Sequence, residues 1–501
     1  MNHAGIWSDA SSPASFAGYG EGAPLDVSDI DPAALAARFR DGTIHDLGDA
    51  LARVGNCAHP IRLRGSSHTV DRTTGEVLSA FDSRHLPGQE LHVPCGNRRA
   101  SKCPACSRVY ARDTFELIRA GIAGGKQVPE SVADNPMVFL TLTAPSFGHV
   151  HSTRGGKRCR PRDKTHRCEH GRPVGCMATH SEGDPVVGAP ICPDCYDLDT
   201  AIVWQWFAPE LWRRFTMAMR RAVAARLGLP ESRLKDAARV QYAKVAEPQR
   251  RGAIHFHALI RLDGPADDGI GAPAPATVSA TNLADLAQQA ARQVIYTAPA
   301  IDADDRARLL RFGAQVDAHA VRTVSRTDTP GEHLSAEQVA GYIAKYSTKD
   351  AGTSSATAYH LRVMEAQCES LHARAVAAQG EESPYLLLRK WAHMLGFRGH
   401  FSSKSRSYSV TLGSLRRARH RWQQLAAASR RTGEPLDTAD LERRLLADED
   451  EDTTLVIGSW AYVGSGWRNE SETALAIAAA GRAREYQQWR AEQGRDQTRR
   501  G

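Results

Sequence analysis

No run of about 18 apolar residues occurs in the chain, so no membrane-spanning helix is predicted. The first dozen residues, MNHAGIWSDASS, have neither the basic start nor the apolar core of a secretory signal; the expectation is a cytoplasmic protein with no membrane partner. No G-x-x-x-x-G-K-[ST] loop is present either. The nearest approach, Gly121-Ile122-Ala123-Gly124-Gly125-Lys126, has the wrong spacing and lacks the hydroxyl that follows the lysine, so strand separation driven by this chain's own nucleotide hydrolysis is not expected. Disulfides are excluded by compartment: nine of the ten cysteines fall between Cys57 and Cys195, in a chain assigned to a reducing environment. A last absence is local. Residues 383–433 contain eleven Lys or Arg and no Asp or Glu.

What is present is enough for real cores. A chain of 501 residues with 42% hydrophobic content can hold two or three domains, and its net charge of +7 becomes informative only where it clusters. Two β-rich runs, 240–246 and 253–262, flank Pro248-Gln249-Arg250-Arg251-Gly252, which has the turn chemistry of a short hairpin. Alternate strand residues share a face, so His255 and His257 project together while Phe256 enters the opposite layer. Glu247, at the end of the first strand, folds back beside the two rings. Two nitrogens and one oxygen then make a site for Mg²⁺ or Mn²⁺ with open positions. The competing reading is a pair of satisfied core histidines.

The cysteines point to zinc. Cys103-Pro104-Ala105-Cys106 and Cys192-Pro193-Asp194-Cys195 are C-P-x-C knuckles whose tight turn presents two thiolates to one tetrahedral ion. The first is expected to pair with Cys57 and Cys95, the second with Cys168 and Cys176, with His170 and Cys159 as substitutes. Two structural Zn²⁺ would leave Cys159 and Cys368 free. Scattered reduced thiols, or a redox pair, are the alternatives.

Further on, 335–349 (SAEQVAGYIAKYSTK) opens with Ser335 and Gln338 in a capping-box spacing and predicts a helix. Tyr342 and Tyr346 lie four apart on one face with Lys345 and Lys349 beside them. A phenol with a pKa near about 10 is a poor nucleophile unless neighbouring cations assist it. An amphipathic helix packing its tyrosines on a sheet is the competing reading.

Taken jointly, His255-Phe256-His257, Tyr342-Ile343-Ala344-Lys345-Tyr346 and Phe139-Leu140-Thr141-Leu142-Thr143 resemble the three motifs of the HUH endonucleases. Those are rolling-circle initiators that nick one DNA strand and stay joined to its 5′ phosphate. The doubled tyrosine and the Glu247-Pro248 step are similar to the two-tyrosine branch. More closely, 50–485 resembles the replication initiators of actinobacterial plasmids and integrative elements, the RepSA type. This extends from Cys57-Ala58-His59-Pro60-Ile61-Arg62-Leu63 through Cys95-Gly96-Asn97-Arg98-Arg99-Ala100-Ser101 to Gly396-Phe397-Arg398-Gly399-His400-Phe401-Ser402. The resemblance implies an α+β fold with a central antiparallel sheet and flanking helices, and a metal-dependent nickase with Tyr342 and Tyr346 as nucleophiles and Lys345 steadying the phosphate. Single- and double-stranded origin DNA, a host helicase and a polymerase are the implied partners. An HUH transposase or relaxase, and a non-catalytic zinc-dependent DNA-binding regulator, are the rival readings.

The expected organisation is a leader (1–45), a zinc-binding region (46–135), the nuclease domain (136–350) with a basic zinc-binding insertion (151–200), a basic DNA-binding region (351–435), and an acidic linker with helical tail (436–501). An amphipathic helix is expected over 208–227, helices over 283–296 and 304–312, and a strand over 314–324. In the basic region Arg398, Lys404, Arg406, Arg416 and Arg417 are the candidate phosphate contacts, and 401–409 interleaves hydroxyls, cations and aromatics suited to base stacking.

Overall fold

The computed structural model describes residues 31–161, 166–181, 183–321, 336–347, 358–436, 441–447 and 454–500. Its strands are β1 (Ile61–Asp71), β2 (Val77–Asp82), β3 (Leu91–Val93), β4 (Met137–Thr143), β5 (Arg239–Pro248), β6 (Ile254–Asp263), β7 (Tyr296–Ala298), β8 (Arg308–Leu310), β9 (Val316–Val321), β10 (Ser402–Lys404) and β11 (Thr454–Ser465). Its α-helices are α1 (Pro32–Arg40), α2 (Ile44–Arg53), α3 (Pro104–Ala123), α4 (Leu198–Arg226), α5 (Ala280–Gln293), α6 (Ala336–Ser347), α7 (Ala358–Gln379), α8 (Leu412–Thr432), α9 (Leu441–Leu446) and α10 (Glu470–Arg500). They form two compact units, one from the described parts of Met1–Asp113 and Thr411–Gly501, the other from those of Thr114–Val410. The architecture is α+β with antiparallel sheets.

The larger unit is built on a five-stranded antiparallel sheet in the order β10-β5-β6-β4-β9. Alternation sorts its two faces. Val138, Leu140 and Leu142 of β4 and Phe256, Ala258, Ile260 and Leu262 of β6 enter a core shared with α4, α5 and α7. Helix α4 begins at Asp197, whose carboxylate accepts the Thr200 N–H at 3.0 Å. It is longer than its amphipathic stretch implies, because residues 201–208 are buried on every side and show no polar face. From it, buried Gln205 clamps the β5–β6 turn: its amide donates to the Gly252 carbonyl at 2.6 Å and its carbonyl accepts the Ile254 N–H at 2.9 Å. The sheet's other face is partly covered by α6, through buried Val339, Ala340, Ile343 and Ala344.

At the far end of β6, Arg261 and Asp263 form a fully buried ion pair with Nε–Oδ1 at 2.6 Å and Nη2–Oδ2 at 2.8 Å. Asn135 and the Gly271 N–H also donate to the carboxylate, at 3.1 and 3.3 Å, so its lone pairs are used. The Arg261 guanidinium lies 5.1 Å over the ring of Tyr408, which is buried.

The smaller unit joins segments that the linear partition kept apart: β11 pairs with β1 over its whole length, in a four-stranded antiparallel sheet with β2 and β3. Most of β2 and β11 is exposed. Its apolar core is small and lies elsewhere, where Leu47, Leu51, Val54, Trp467, Ala476 and Ala480 surround Cys57, Cys103 and Cys106.

Two helix expectations need correction. The stretch 304–312 is extended at β8, because Asp305 accepts the Ile301 N–H at 2.8 Å and binds the Arg308 guanidinium, closing a turn. The helix expected over 283–296 ends at Gln293, and Tyr296 starts β7. Ser335, Lys349, the end of the strand expected to 324, and the acidic run 448–452 lie outside the described residues.

Candidate active site and metal centres

The hairpin delivers Glu247, His255 and His257 to the face away from the main core. Glu247 pairs directly with His255, and His257 lies between Val245 on one side and Thr141 on the other. Odd-numbered residues of all three strands therefore share that face. Glu247 Oε2 is 2.8 Å from His257 Nε2, and Thr141 Oγ1 is 3.1 Å from the other ring nitrogen, Nδ1. The His255 and His257 rings stand 6.0 Å apart, centre to centre. Phe139 stacks on His257 at 5.9 Å and 5°.

Helix α6 supplies the phenol. Tyr342 meets His257 edge-on at 5.1 Å and Phe139 edge-on at 5.7 Å, and its hydroxyl is 3.5 Å from His257 Nε2. The residue remains 39% exposed, so a ligand can reach it from solvent. Lys345 is exposed on the same helix. Tyr346 is within α6, but its side chain lies outside the described residues. Thr141 and Asp317, which face each other in the β4–β9 register, were not singled out from sequence. The available signal was strand alternation, which puts Thr141 on the histidine face once β4 is set beside β6.

Cysteine geometry sorts differently from spacing. Cys57, Cys95, Cys103 and Cys106 come together as expected, all four sulfurs within 4.8 Å of one another. Backbone N–H groups of Ala58 and Cys95 donate to Cys103 Sγ and Cys57 Sγ at 3.4 and 3.3 Å. The crowding divides the thiols: hydrogen bonds from Cys106 and Cys57 hold Cys103 far below the usual thiol range. Facing that thiolate, Cys57 is pushed up to about 12 and Cys106 is raised further. One divalent cation would relieve this mutual repulsion, and the group can hold zinc.

For the second knuckle the structure corrects the fourth ligand. Cys168, Cys192 and Cys195 gather with His170, whose Nδ1 is 3.3 Å from Cys195 Sγ, and the set can likewise hold zinc. Cys176 lies away from it, 3.4 Å from His180 Nε2. A two-way bridge between Arg160 and Cys176 turns that cysteine toward Cys159, so Cys159 is not left over either. Cys368 is buried in the main core.

The basic segment is divided between the two units. The boundary between the units falls after Val410, leaving Arg398, Lys404 and Arg406 in one and Arg416 and Arg417 in the other. Lys404 Nζ donates to the carbonyls of Ser405, Arg406 and Ser409 at 3.3, 3.1 and 2.8 Å, and burial pushes its ammonium down to about 8. It is committed to its own loop. Arg398 lies 4.3 Å over the Trp206 ring, and Arg417 bonds Ser414. Arg406 and Arg416 are exposed. Phe401 and Tyr408, expected to stack bases, are instead buried.

Known proteins agree with this picture at the level of family. The family model described as replication initiator protein, pSAM2 (RepSA) matches residues 43–481. A replication initiator protein of Streptomyces ambofaciens is 40% identical over 465 residues, which is 90% of this chain and 94% of that protein. No solved structure matches. No described helix is long and apolar enough to cross a membrane. With a family match across most of its length and a full-length relative, the chain belongs to the RepSA family of replication initiator proteins.

Proposed function

We propose that this initiator nicks one strand of origin DNA by tyrosine attack, as the HUH endonucleases do, and later rejoins it. The observation that carries the reading is the Tyr342 hydroxyl 3.5 Å from His257 Nε2, the nitrogen that Glu247 contacts at 2.8 Å. A phenol on a late helix and a carboxylate–imidazole pair on the central hairpin meet at a half-open surface.

Two imidazoles and one carboxylate on a shared sheet face are donor types that a divalent cation takes; Glu247 and His257 are in contact and His255 is the register partner of Glu247. Glu247, His255 and His257 would hold Mg²⁺ or Mn²⁺, which would supply Lewis-acid polarisation of the scissile phosphate. Thr141 fixes the His257 ring, and Phe139 walls one side of it. Tyr342 Oη forms a bond to phosphorus as the bond to the 3′ oxygen breaks. The phenolic proton passes to water and the leaving oxygen takes one up, giving a 5′ phosphotyrosine and a 3′ hydroxyl. Lys345, exposed on the same helix, would offset charge on the phosphate. Tyr346 is the proposed second nucleophile for rejoining. The 3′ hydroxyl would prime a host polymerase and a host helicase would open the duplex, with Arg406 and Arg416 among the phosphate contacts.

Incubating the full-length protein with Mn²⁺ and single-stranded origin oligonucleotides tests this on a denaturing gel. A covalent protein–DNA band is expected, and Tyr342→Phe should abolish it. An unchanged yield in that variant moves the attack to Tyr346. No band with the wild type, alongside intact DNA binding, would favour the non-catalytic regulator.

A further inference from the structure

The described residues of 151–195 carry very little regular structure. They contain one short 3-10 turn, Arg154–Gly156, and a few isolated bridges. Fixing a stretch of this length costs on the order of 1–2 kcal/mol per residue in backbone entropy, and the apolar burial here, chiefly Val187, cannot offset it. Something else holds the path.

Besides the second-knuckle group, four more donors converge in this segment: His151, Cys159, Cys176 and His180, all within 4.8 Å of one another. The spacings are those of a ligand tetrahedron. His151 Nδ1 is 3.3 Å from His180 Nε2, Cys176 Sγ is 3.4 Å from the same Nε2, and Cys159 Sγ is 4.0 Å from His151 Nδ1. Zinc–nitrogen and zinc–sulfur bond lengths give tetrahedral edges of about 3.3 Å between nitrogens and about 3.6 Å between nitrogen and sulfur. The surroundings support the donors. Asp184 Oδ2 takes the far nitrogen of His180, Nδ1, at 2.6 Å, which orients the ring with Nε2 toward the cluster. The Ser152 N–H donates to Cys159 Sγ at 3.2 Å, and Cys159 and His180 are buried. Two thiolates and two neutral imidazoles leave a Zn²⁺ site with no net charge, the cheapest zinc centre to bury.

We infer that His151, Cys159, Cys176 and His180 form a third zinc site, interleaved with the Cys168–His170–Cys192–Cys195 site so that the two ions cross-brace residues 151–195. In chain order the ligand pairs alternate: the first (151 and 159) and third (176 and 180) hold one ion, the second (168 and 170) and fourth (192 and 195) the other. Neither ion can be released without loosening a segment that the other spans. The brace also borders the β5–β6 turn. His151 and Ala189 are joined by backbone hydrogen bonding, and at Gly188, with φ of +97°, an added Cβ would lie 2.6 Å from the Arg250 backbone.

The test is metal analysis of the full-length protein. Cys176→Ala is expected to carry at least one zinc fewer per chain than the wild type, and Cys176→Ala and Cys168→Ala should both expose the arginine-rich 154–172 stretch to trypsin. An unchanged zinc count in Cys176→Ala, or undiminished trypsin resistance, overturns the inference. Should the variants prove insoluble, alkylation of the wild type decides: Cys176 is expected to resist a maleimide until a zinc chelator is added, and immediate modification of Cys176 in zinc-loaded protein overturns the site.

Discussion

The two compact units solve the same problem with different materials. The larger encloses one side of a five-stranded sheet under α4, α5 and α7, and its buried side chains include Trp204, Trp206, Phe215, Phe256 and Phe397. The smaller gathers a few aliphatic side chains around its cysteines and leaves most of its outer strands β2 and β11 exposed, including Val456 at 62% and Ile457 at 56%. Apolar burial contributes roughly 25 cal/mol per Å², so the larger unit stabilises itself by area. With little area to bury, the smaller is expected to depend on an ion held by its four sulfurs, as metal-dependent domains do.

The sharpest way to break this contrast is to deny the four-cysteine group a metal. Structural zinc contributes on the order of 10–16 kcal/mol in small domains, so a strong chelator should strip hydrogen-exchange protection from β1 and the first turns of α3 while β4 and β6 keep theirs. Equal loss in both units would end the distinction. Next in size, Asp263→Ala leaves the Arg261 charge buried without its carboxylate and should cost about 3–5 kcal/mol in the larger unit, read as a lowered denaturation midpoint.

Lys244 tests the opposite sign. Its ammonium is buried 4.8 Å over Phe256 and 5.7 Å over Trp212, with the His400 carbonyl at 3.1 Å, and burial pushes its pKa down to about 7. Between that value and about 10.4 the unfolded chain binds more protons, so wild-type stability rises with pH across the window. Lys244→Met should therefore be more stable by roughly 2–4 kcal/mol at pH 7, with the gap closing toward pH 10.5. A gap that widened with pH would refute the burial argument. The smallest effect belongs to the open sheet: Ile457→Thr should change stability by no more than about 0.5 kcal/mol. A loss of several kcal/mol there would mean that the strand is covered in solution.

The same contrast explains what could be read in the sequence. Where one face is buried, the pattern is explicit: His255 and His257 flank core residue Phe256, and both the hairpin and β4 were legible from alternation. Helix α6 was legible from its tyrosine spacing, although the meeting of Tyr342 with His257 is a tertiary fact that spacing alone does not contain. In the smaller unit, β1 and β11 bury neither face deeply and so carry no strong periodic signal, and the pairing between them escaped notice. Knuckles are local and were found; the assignment of Cys176 failed because long loops let several partners satisfy the same spacing, and only the bridge to Arg160 selects among them. Phe401 and Tyr408 were misread since aromatics among cations look alike whether they stack on bases or sit under a sheet.

Pairing of β1 with β11 joins strands that lie on opposite sides, along the chain, of the larger unit's segment Thr114–Val410. During synthesis the thiol-bearing segment and β1 leave the ribosome before the residues of the larger unit, whereas β11 follows them. A message cut short after the larger unit's sheet would yield a chain with β1 missing its longest neighbour, an unpaired edge open to aggregation and proteolysis. The smaller unit can thereby close only on chains translated past β11.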